Sequence, residues 1–573
     1  MTPPRFAVFL LFSLSIASAA NAEVFYRWNQ AGYSPQQPKS IVAMSDANLA
    51  GIEWTIRSGE RTGMRGRFGP SVTGAGDHTP FAFNHVVDFG ELRDHGEFEF
   101  LVEGKQVAQF RIATTPYLRF IPMALRHLRA MRSGSHETLL REFSHPGDAR
   151  APMFVPDGDP SNGKWKPAEP ARTVDALGGL YDAGDQIKFM LNQAATSYHL
   201  LYAYRLKPAY FATEHSTSGL PDVLDEARHG LEFLMRVHPD RDTFIIQVGN
   251  GEDHNQGMRL PEHDKLDGKR PALCALSRTQ MGAAAAALAL GARTFAEIGR
   301  TDDAERYGAM ARKIYARALE PETIPTAFER DETNDFYHDP DPTDQMALAA
   351  MELHALTGDE VDLKQSIALA PPAAEEVGWK DWNWLANDAL SPHDRAASVR
   401  LLNETTGYVR HALEKGAPWG IPSRYVWGSL ARWVGIANAS MQTARLHDDV
   451  SPQHQLLFWL MVDYTFGRNN WGVSFLFCED LPNTVRNIYS PTYRLLEKFP
   501  TGALSEGPGG RKLHESLSRY FKITDDDPFH RFNTPAAVFF DSSSDFMCQE
   551  ATITAQADLV LMLTLATLWE EDL

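Results

Sequence analysis

Apolar side chains recur at every second position in much of the stretch from residue 24 to 115, and at every third or fourth beyond Pro116. "GEFEFLV" alternates Phe98 and Phe100 with Glu97 and Glu99, with Val102 in step, and "QVAQFRI" alternates Ala108, Phe110 and Ile112 with Gln109 and Arg111. A period of two predicts half-buried strands, and Glu103, Gly104 and Lys105 supply the turn of a hairpin between them. Roughly 90 residues of such short strands suit a β-sandwich.

The later pattern is helical and of two kinds. "DDAERYGAMARKIYARALE" places Ala304, Tyr307, Ala311, Ile314, Tyr315 and Ala318 on one stripe with charges opposite, as in a helix with one buried face. "MGAAAAALALGARTF" is small and apolar almost all round, and Ile553 to Trp569 is largely apolar, so these helices belong inside a shell of others. "DQMALAAMELHALTGD" ends at Thr357-Gly358, a C-terminal stop. The class expected is mainly α, a closed barrel of inner and outer helices preceded by a small all-β sandwich. Long loops interrupt the helices around 141–180, 240–273 and 467–550, and such loops often carry function. Trp379, Trp382, Trp384, Trp419, Trp427, Trp433, Trp459 and Trp471 lie close together in the sequence; core packing accounts for most, while "WKDWNW" mixes rings with polar residues that suit a groove where flat faces stack on sugar rings.

Residues 1–22 combine Arg5, an apolar run from Phe6 to Ile16 and the ending Ala20-Asn21-Ala22, the three parts of a cleaved secretory signal. The domains expected are therefore a signal at 1–22, the sandwich at 23–115 and the helical domain at 116–573. Export to a periplasm or out of the cell follows, with no membrane span, since no later stretch reaches about 18 apolar residues. The 573 residues carry 74 acidic and 55 basic side chains, a net charge of −19, and no polybasic run, which excludes nucleic acid as an expected partner. Cys274, Cys478 and Cys548 are odd in number and widely spaced, so free buried thiols are expected.

Candidate chemistry centres on "GGLYDAGDQIKF", where Asp182 and Asp185 stand three residues apart behind two glycines. The segment resembles the Gly-Gly-x-Tyr-Asp-Ala-Gly-Asp motif of glycoside hydrolase family 9, the inverting cellulase family. Further similarities follow in order: "RWNQAGYSPQQPKSIV" with the immunoglobulin-like domain that precedes many of these catalytic domains, "SGLPDVLDEARHGLEFLMR", "YVWGS", "DYTFGRNNWGVSF" and "DFMCQEATITAQADLV". The resemblance implies an (α/α)6 barrel and an oligo- or polysaccharide substrate. It also implies Asp185 as general base, Asp182 as a second holder of the attacking water, and Glu550 as general acid. Inversion needs the acid and base about 6.5–9.5 Å apart to admit that water. Glu550 is expected in drier surroundings than the aspartates, so that it keeps its proton. Substrate contacts are expected at Tyr181, His254, Trp427, Arg494 and Asp545.

"YHDPDPTDQ" resembles a family calcium loop, which implies a structural site at Asp339, Asp341 and Asp344 and no cofactor for catalysis. Gln345 stands where an acid is common, and capping of the next helix by Thr343 or Asp344 is the alternative. "HETLLR" has Leu140 where a zinc metalloprotease needs histidine. The family's His-His-Arg cluster is reduced to Arg494 in "RNIYSPTYR", and "EDHNQGMRLPE" keeps His254 and Glu262 without a tryptophan between them. These departures leave open an endo-acting cellulase-like enzyme, an exo-acting β-glycosidase on short or amino-sugar oligosaccharides, and a non-catalytic sugar-binding protein. A scaffold whose β-domain binds protein partners rests only on the presence of that domain.

Overall fold

Two antiparallel sheets form the N-terminal domain. In one, Arg61–Arg67, Glu53–Ser58, Gly96–Val102 and Lys105–Ile112 lie side by side in that order. Phe98 stands opposite Phe110 and Phe100 opposite Ala108, as the alternation requires. The hairpin turns on two residues, Glu103 and Gly104, with φ of 48° and 80°; left-handed backbone at both matches the twist of the strands. The other sheet holds Val24–Arg27, Ser40–Ser45 and Phe83–Asp88. This computed structural model describes residues 23–571 apart from 74, 331–336, 374–376, 378–380 and 524–526. The expected signal segment and Trp379 lie outside the described residues.

The strand Ser40–Ser45 explains how the sandwich joins the rest. Ile41 and Ala43 enter the sandwich core beside Trp54 and Phe100, whereas Val42 and Met44 enter the core built by the helices. Alternate side chains of a strand point to opposite faces, so a strand covered on both reads as one apolar run. Polar ties reinforce the contact: the Gln30 N–H donates to the Phe466 carbonyl at 2.8 Å, Arg468 Nε to Ser40 Oγ at 2.8 Å, and Asn29 Nδ2 to Asp463 Oδ1 at 2.9 Å. The sandwich braces the helical domain.

Asp463 gives this junction a pH dependence. Burial pushes its carboxyl up to about 7 against the opposing pull of Arg468 and Asn29. The folded chain then keeps a proton that the unfolded chain releases from about pH 4 upward, so this group's contribution to stability falls as pH rises from there to about 7. Asp463→Asn removes the titration and keeps an acceptor for Asn29. Thermal midpoints measured from pH 4 to 8 should fall less steeply for the variant than for the parent; parallel curves would refute the assignment.

Six helices close a ring in the second domain: Met190–Leu206, Arg278–Glu297, Thr343–Thr357, Asn383–Leu390, Ser429–Leu446 and Ile553–Glu571 each pack on the next, and the last on the first. Met190–Leu206 is buried for most of its circumference and Arg278–Glu297 nearly throughout, as its run of alanines foretells. Phe120–Ala130, Asp222–Arg236, Thr301–Ala318, Glu360–Ala368, Arg395–Glu414 and Ser451–Thr465 form the outer layer. The stripe from Ala304 to Ala318 is buried, and Gly358 ends its helix with φ of 75°. Two of the long loops are less irregular than expected. Ala151–Pro156, Trp165–Pro167, Thr173–Val174, Ile245–Val248 and Ala272–Cys274 join Lys188–Phe189 in a six-stranded sheet. Strands of two to six residues are too short for a period to be read.

Candidate active site

Loops at the N-terminal ends of the inner helices meet at one point. Asp182 and Asp185 lie just before Met190–Leu206, Tyr337 before Thr343–Thr357, Trp427 before Ser429–Leu446 and Glu550 before Ile553–Glu571. Unpaired N–H groups of the first turns give this end positive potential, which suits carboxylates. The Ile553 N–H donates to the Asp182 carbonyl at 2.9 Å, tying the two acidic loops together.

The early aspartates and the late glutamate converge. The Gly184 N–H, between the aspartates, donates to Glu550 Oε1 at 3.1 Å. Glu550 is pushed well above the usual carboxylate range by burial first, then by Asp185 and Glu506. Asp185 is the more open, its side chain 16% exposed; Oδ1 accepts the Ile187 N–H at 3.0 Å and Oδ2 faces His254 Nε2 at 3.4 Å. Burial disfavours a charged His254, but its hydrogen bond to Asp185 and the charges of Asp185, Asp253 and Glu550 outweigh that and push it up to about 9. A protonated imidazole therefore faces Asp185 at neutral pH.

Asp182 differs from the expectation. It is only 2% exposed, Asn192 Nδ2 donates to Oδ1 at 2.7 Å, and the Tyr337 hydroxyl donates to Oδ2 at 2.5 Å. Burial and then Asp185 push it up to about 7. Dryness therefore separates Glu550 from Asp185 but not from Asp182. Gly184 leaves room for an aromatic ring: an added Cβ would lie 2.3 Å from the Tyr489 ring.

The other candidates divide. Trp427 is 38% exposed, with its ring 5.5 Å from Phe546, and Phe546 is 5.9 Å from Tyr489. The three rings make an aromatic wall beside Glu550. Arg494 is exposed at the rim, donating to the Ser543 carbonyl at 3.3 Å. Tyr181 and Asp545 are corrected as direct contacts. Tyr181 is buried, with its hydroxyl engaged by Ser144 and His145, so it braces the aspartate loop from behind. Asp545 is fully buried between His514 and the Cys548 N–H.

The expected calcium set does not assemble. Asp341 Oδ1 accepts from the Thr343 N–H and hydroxyl, Asp339 Oδ2 from Gln345 Nε2, and Asp344 from the N–H groups of Gln345 and Trp382. At the start of this helix the Thr343 N–H is thus taken by Asp341 and the Gln345 N–H by Asp344. The three carboxylates do not converge within 4.8 Å of one another. Among the described residues, the His, Cys, Asp and Glu ligand atoms that do so converge belong to His514, Asp545 and Cys548. All three cysteines are buried and unpaired, as expected.

Sequence reasoning missed Tyr337, Tyr489 and Glu506. Burial pushes Glu506 up to about 7; Thr552 opposes this through a hydrogen bond to Oε1 at 3.0 Å, and Asp182 adds to it. The Glu506 N–H donates to the Glu550 carbonyl at 2.9 Å, so a further acid lies beside the late glutamate. A lone glutamate or tyrosine in a loop carries no pattern that could have pointed to it.

The model of the glycosyl hydrolase family 9 domain matches residues 117–563, and that of the cellulase N-terminal immunoglobulin-like domain matches residues 26–107. The chain belongs to glycosyl hydrolase family 9. Similar proteins include a xyloglucan-specific endo-β-1,4-glucanase of Bacteroides ovatus, 24% identical over 603 residues and aligned over 96% of both chains. Endoglucanase C of Cellulomonas fimi is 25% identical over 505 residues, 78% of this chain and 43% of that protein, so this chain spans less than half of its length. A metagenome-derived family 9 endoglucanase structure superposes with a TM-score of 0.77 at 22% identity, over 95% of this chain and 99% of that one. The family 9 chain is thus a glycoside hydrolase, similar to endo-β-1,4-glucanases, with a carbohydrate as its substrate. No helix among the described residues is long and apolar enough to cross a membrane.

Proposed function

We propose that this family 9 chain is an exported, inverting hydrolase of β-linked glucans, with Glu550 as general acid and Asp185 as general base. The observation that carries the reading is the contact of Glu550 with Gly184, which sets the late carboxyl against the loop that presents Asp185. In a protonated Glu550 the Gly184 N–H favours Oε1 as the carbonyl oxygen, which leaves the proton on Oε2 for the departing glycosidic oxygen. Asp185, the exposed member of the early pair, takes a proton from water on the opposite side of the sugar. His254 orients Asp185, while Asp182, held by Asn192 and Tyr337, supports the loop from behind rather than gripping water. Trp427 offers a flat face on which a sugar ring stacks. Export rests on the signal pattern of residues 1–22.

A second reading, exo action on short or amino-sugar oligosaccharides, is favoured by Glu506. This buried acid stands behind Glu550 and, with Asp182, Asp185 and Asp253 nearby, makes the potential at the site more negative, which suits a cationic sugar. Thin-layer analysis of products from cellooligosaccharides, mixed-linkage glucan and chitooligosaccharides, with and without N-acetyl groups, separates the readings. Random shortening of glucans supports the first, release of single sugars the second, and no product from any of them leaves a sugar-binding protein. NMR of the first-formed anomer tests inversion directly: a β product would overturn it.

A further inference from the structure

We propose that His514, Asp545 and Cys548 form a buried structural site for one zinc ion. The three residues come from two separate segments, the helix Arg511–Leu517 and the turn Asp545–Cys548, and all are buried. His514 Nε2 lies 2.9 Å from Asp545 Oδ2, and one ligand atom from each residue lies within 4.8 Å of the other two. A tetrahedral ion with bonds of about 2.0–2.3 Å separates neighbouring ligand atoms by roughly 3.3–3.8 Å, so small side-chain shifts admit the ion. The Val538 carbonyl lies 3.7 Å from Cys548 Sγ, and a zinc ion held by three protein ligands takes water in its fourth position.

The surroundings are those a metal thiolate needs. Burial and the Asp545 carboxyl push the Cys548 thiol well up, while the backbone N–H groups of Gly509 and Phe540 point at its sulfur and are placed to stabilise it once a metal has displaced the proton. The Cys548 N–H holds the other oxygen of Asp545 at 3.2 Å, fixing that carboxylate. The His514 ring lies between Phe521 and Phe540, with centroids 4.4 and 5.4 Å away. One thiolate and one carboxylate neutralise a divalent ion, and neutrality is what a dry pocket demands. Mixed sulfur, nitrogen and oxygen ligands suit zinc over the hard cations that prefer oxygen alone. Zinc binding displaces the Cys548 proton to solvent, so affinity rises with pH. The ion would secure the turn that leads into Glu550.

The test uses the mature chain without a metal-binding tag, purified in the presence of zinc, dialysed and measured for metal content. About one zinc per chain is expected, falling to background in both Cys548→Ser and His514→Gln. Stripped protein should regain thermal midpoint on adding zinc, and cobalt should give a thiolate charge-transfer band in the parent that is absent from Cys548→Ser. Cys274 and Cys478 remain in that variant as internal controls. Zinc below a tenth of an ion per chain, with no rise in midpoint and no band, would show that the cluster is held by hydrogen bonds alone and overturn the proposal. Zinc retained undiminished by both variants would place it elsewhere and overturn it equally.

Discussion

Glu550→Gln should lower kcat about 10²–10⁴-fold on unactivated cellooligosaccharides while leaving KM nearly unchanged, the loss typical of removing a general acid. Glutamine keeps the shape and can still accept the Gly184 N–H that Glu550 Oε1 now accepts at 3.1 Å, so the loop should stay in place. What disappears is the transferable proton. The loss should therefore depend on the leaving group. Aryl β-glycosides whose phenol departs as a stable anion need little protonation and should lose far less activity than the oligosaccharides. An equal loss on both substrate types would mean that Glu550 supports the loop but donates no proton.

Asp185→Asn should cost activity of the same order, about 10²–10⁴-fold, and here an activated leaving group should bring no relief. Water has to be deprotonated whichever group departs, and asparagine cannot accept its proton. The Ile187 N–H would keep an acceptor at Oδ1, but the charge facing His254 at 3.4 Å would be gone. His254 should then lose part of the rise that takes it to about 9, because Asp185 supplies two of the effects that hold it there. Imidazole titration followed by NMR in parent and variant gives a measure independent of turnover. Parent-like turnover in the variant would remove Asp185 as the base, and an unmoved His254 would show that the two do not interact in solution. The opposed leaving-group dependences of the two variants distinguish acid from base, which activity loss alone does not.

Much of the architecture could be read from neighbouring residues. Phe98 and Phe110 declared their strands because a strand turns its side chains over at every step. Ala304 to Ala318 declared a helix with one buried face, and the alanines after Met281 a helix with none exposed. Gly358 marked an end because a left-handed backbone suits glycine. Asp182, Asp185 and Glu550 could be singled out because each sits in a contiguous motif. The short strands of the loop sheet were not found, since Thr173–Val174 or Ala272–Cys274 offers too few residues for a period.

Roles that depend on distant partners were decided only by folding. Asp545 and Asp185 are both single aspartates in loops, yet one is sealed between His514 and a backbone N–H while the other faces the cleft. The partners of Asp339, Asp341 and Asp344 were settled in the same way, with Gln345, Thr343 and Trp382 engaging their oxygens. Glu506 meets Glu550, and Tyr337 meets Asp182, across long stretches of chain. Period, turn chemistry and motif are properties of adjacent residues and survive in the sequence as written. Burial, pairing and the shift of a proton's affinity belong to side chains that meet only when the ring of helices closes.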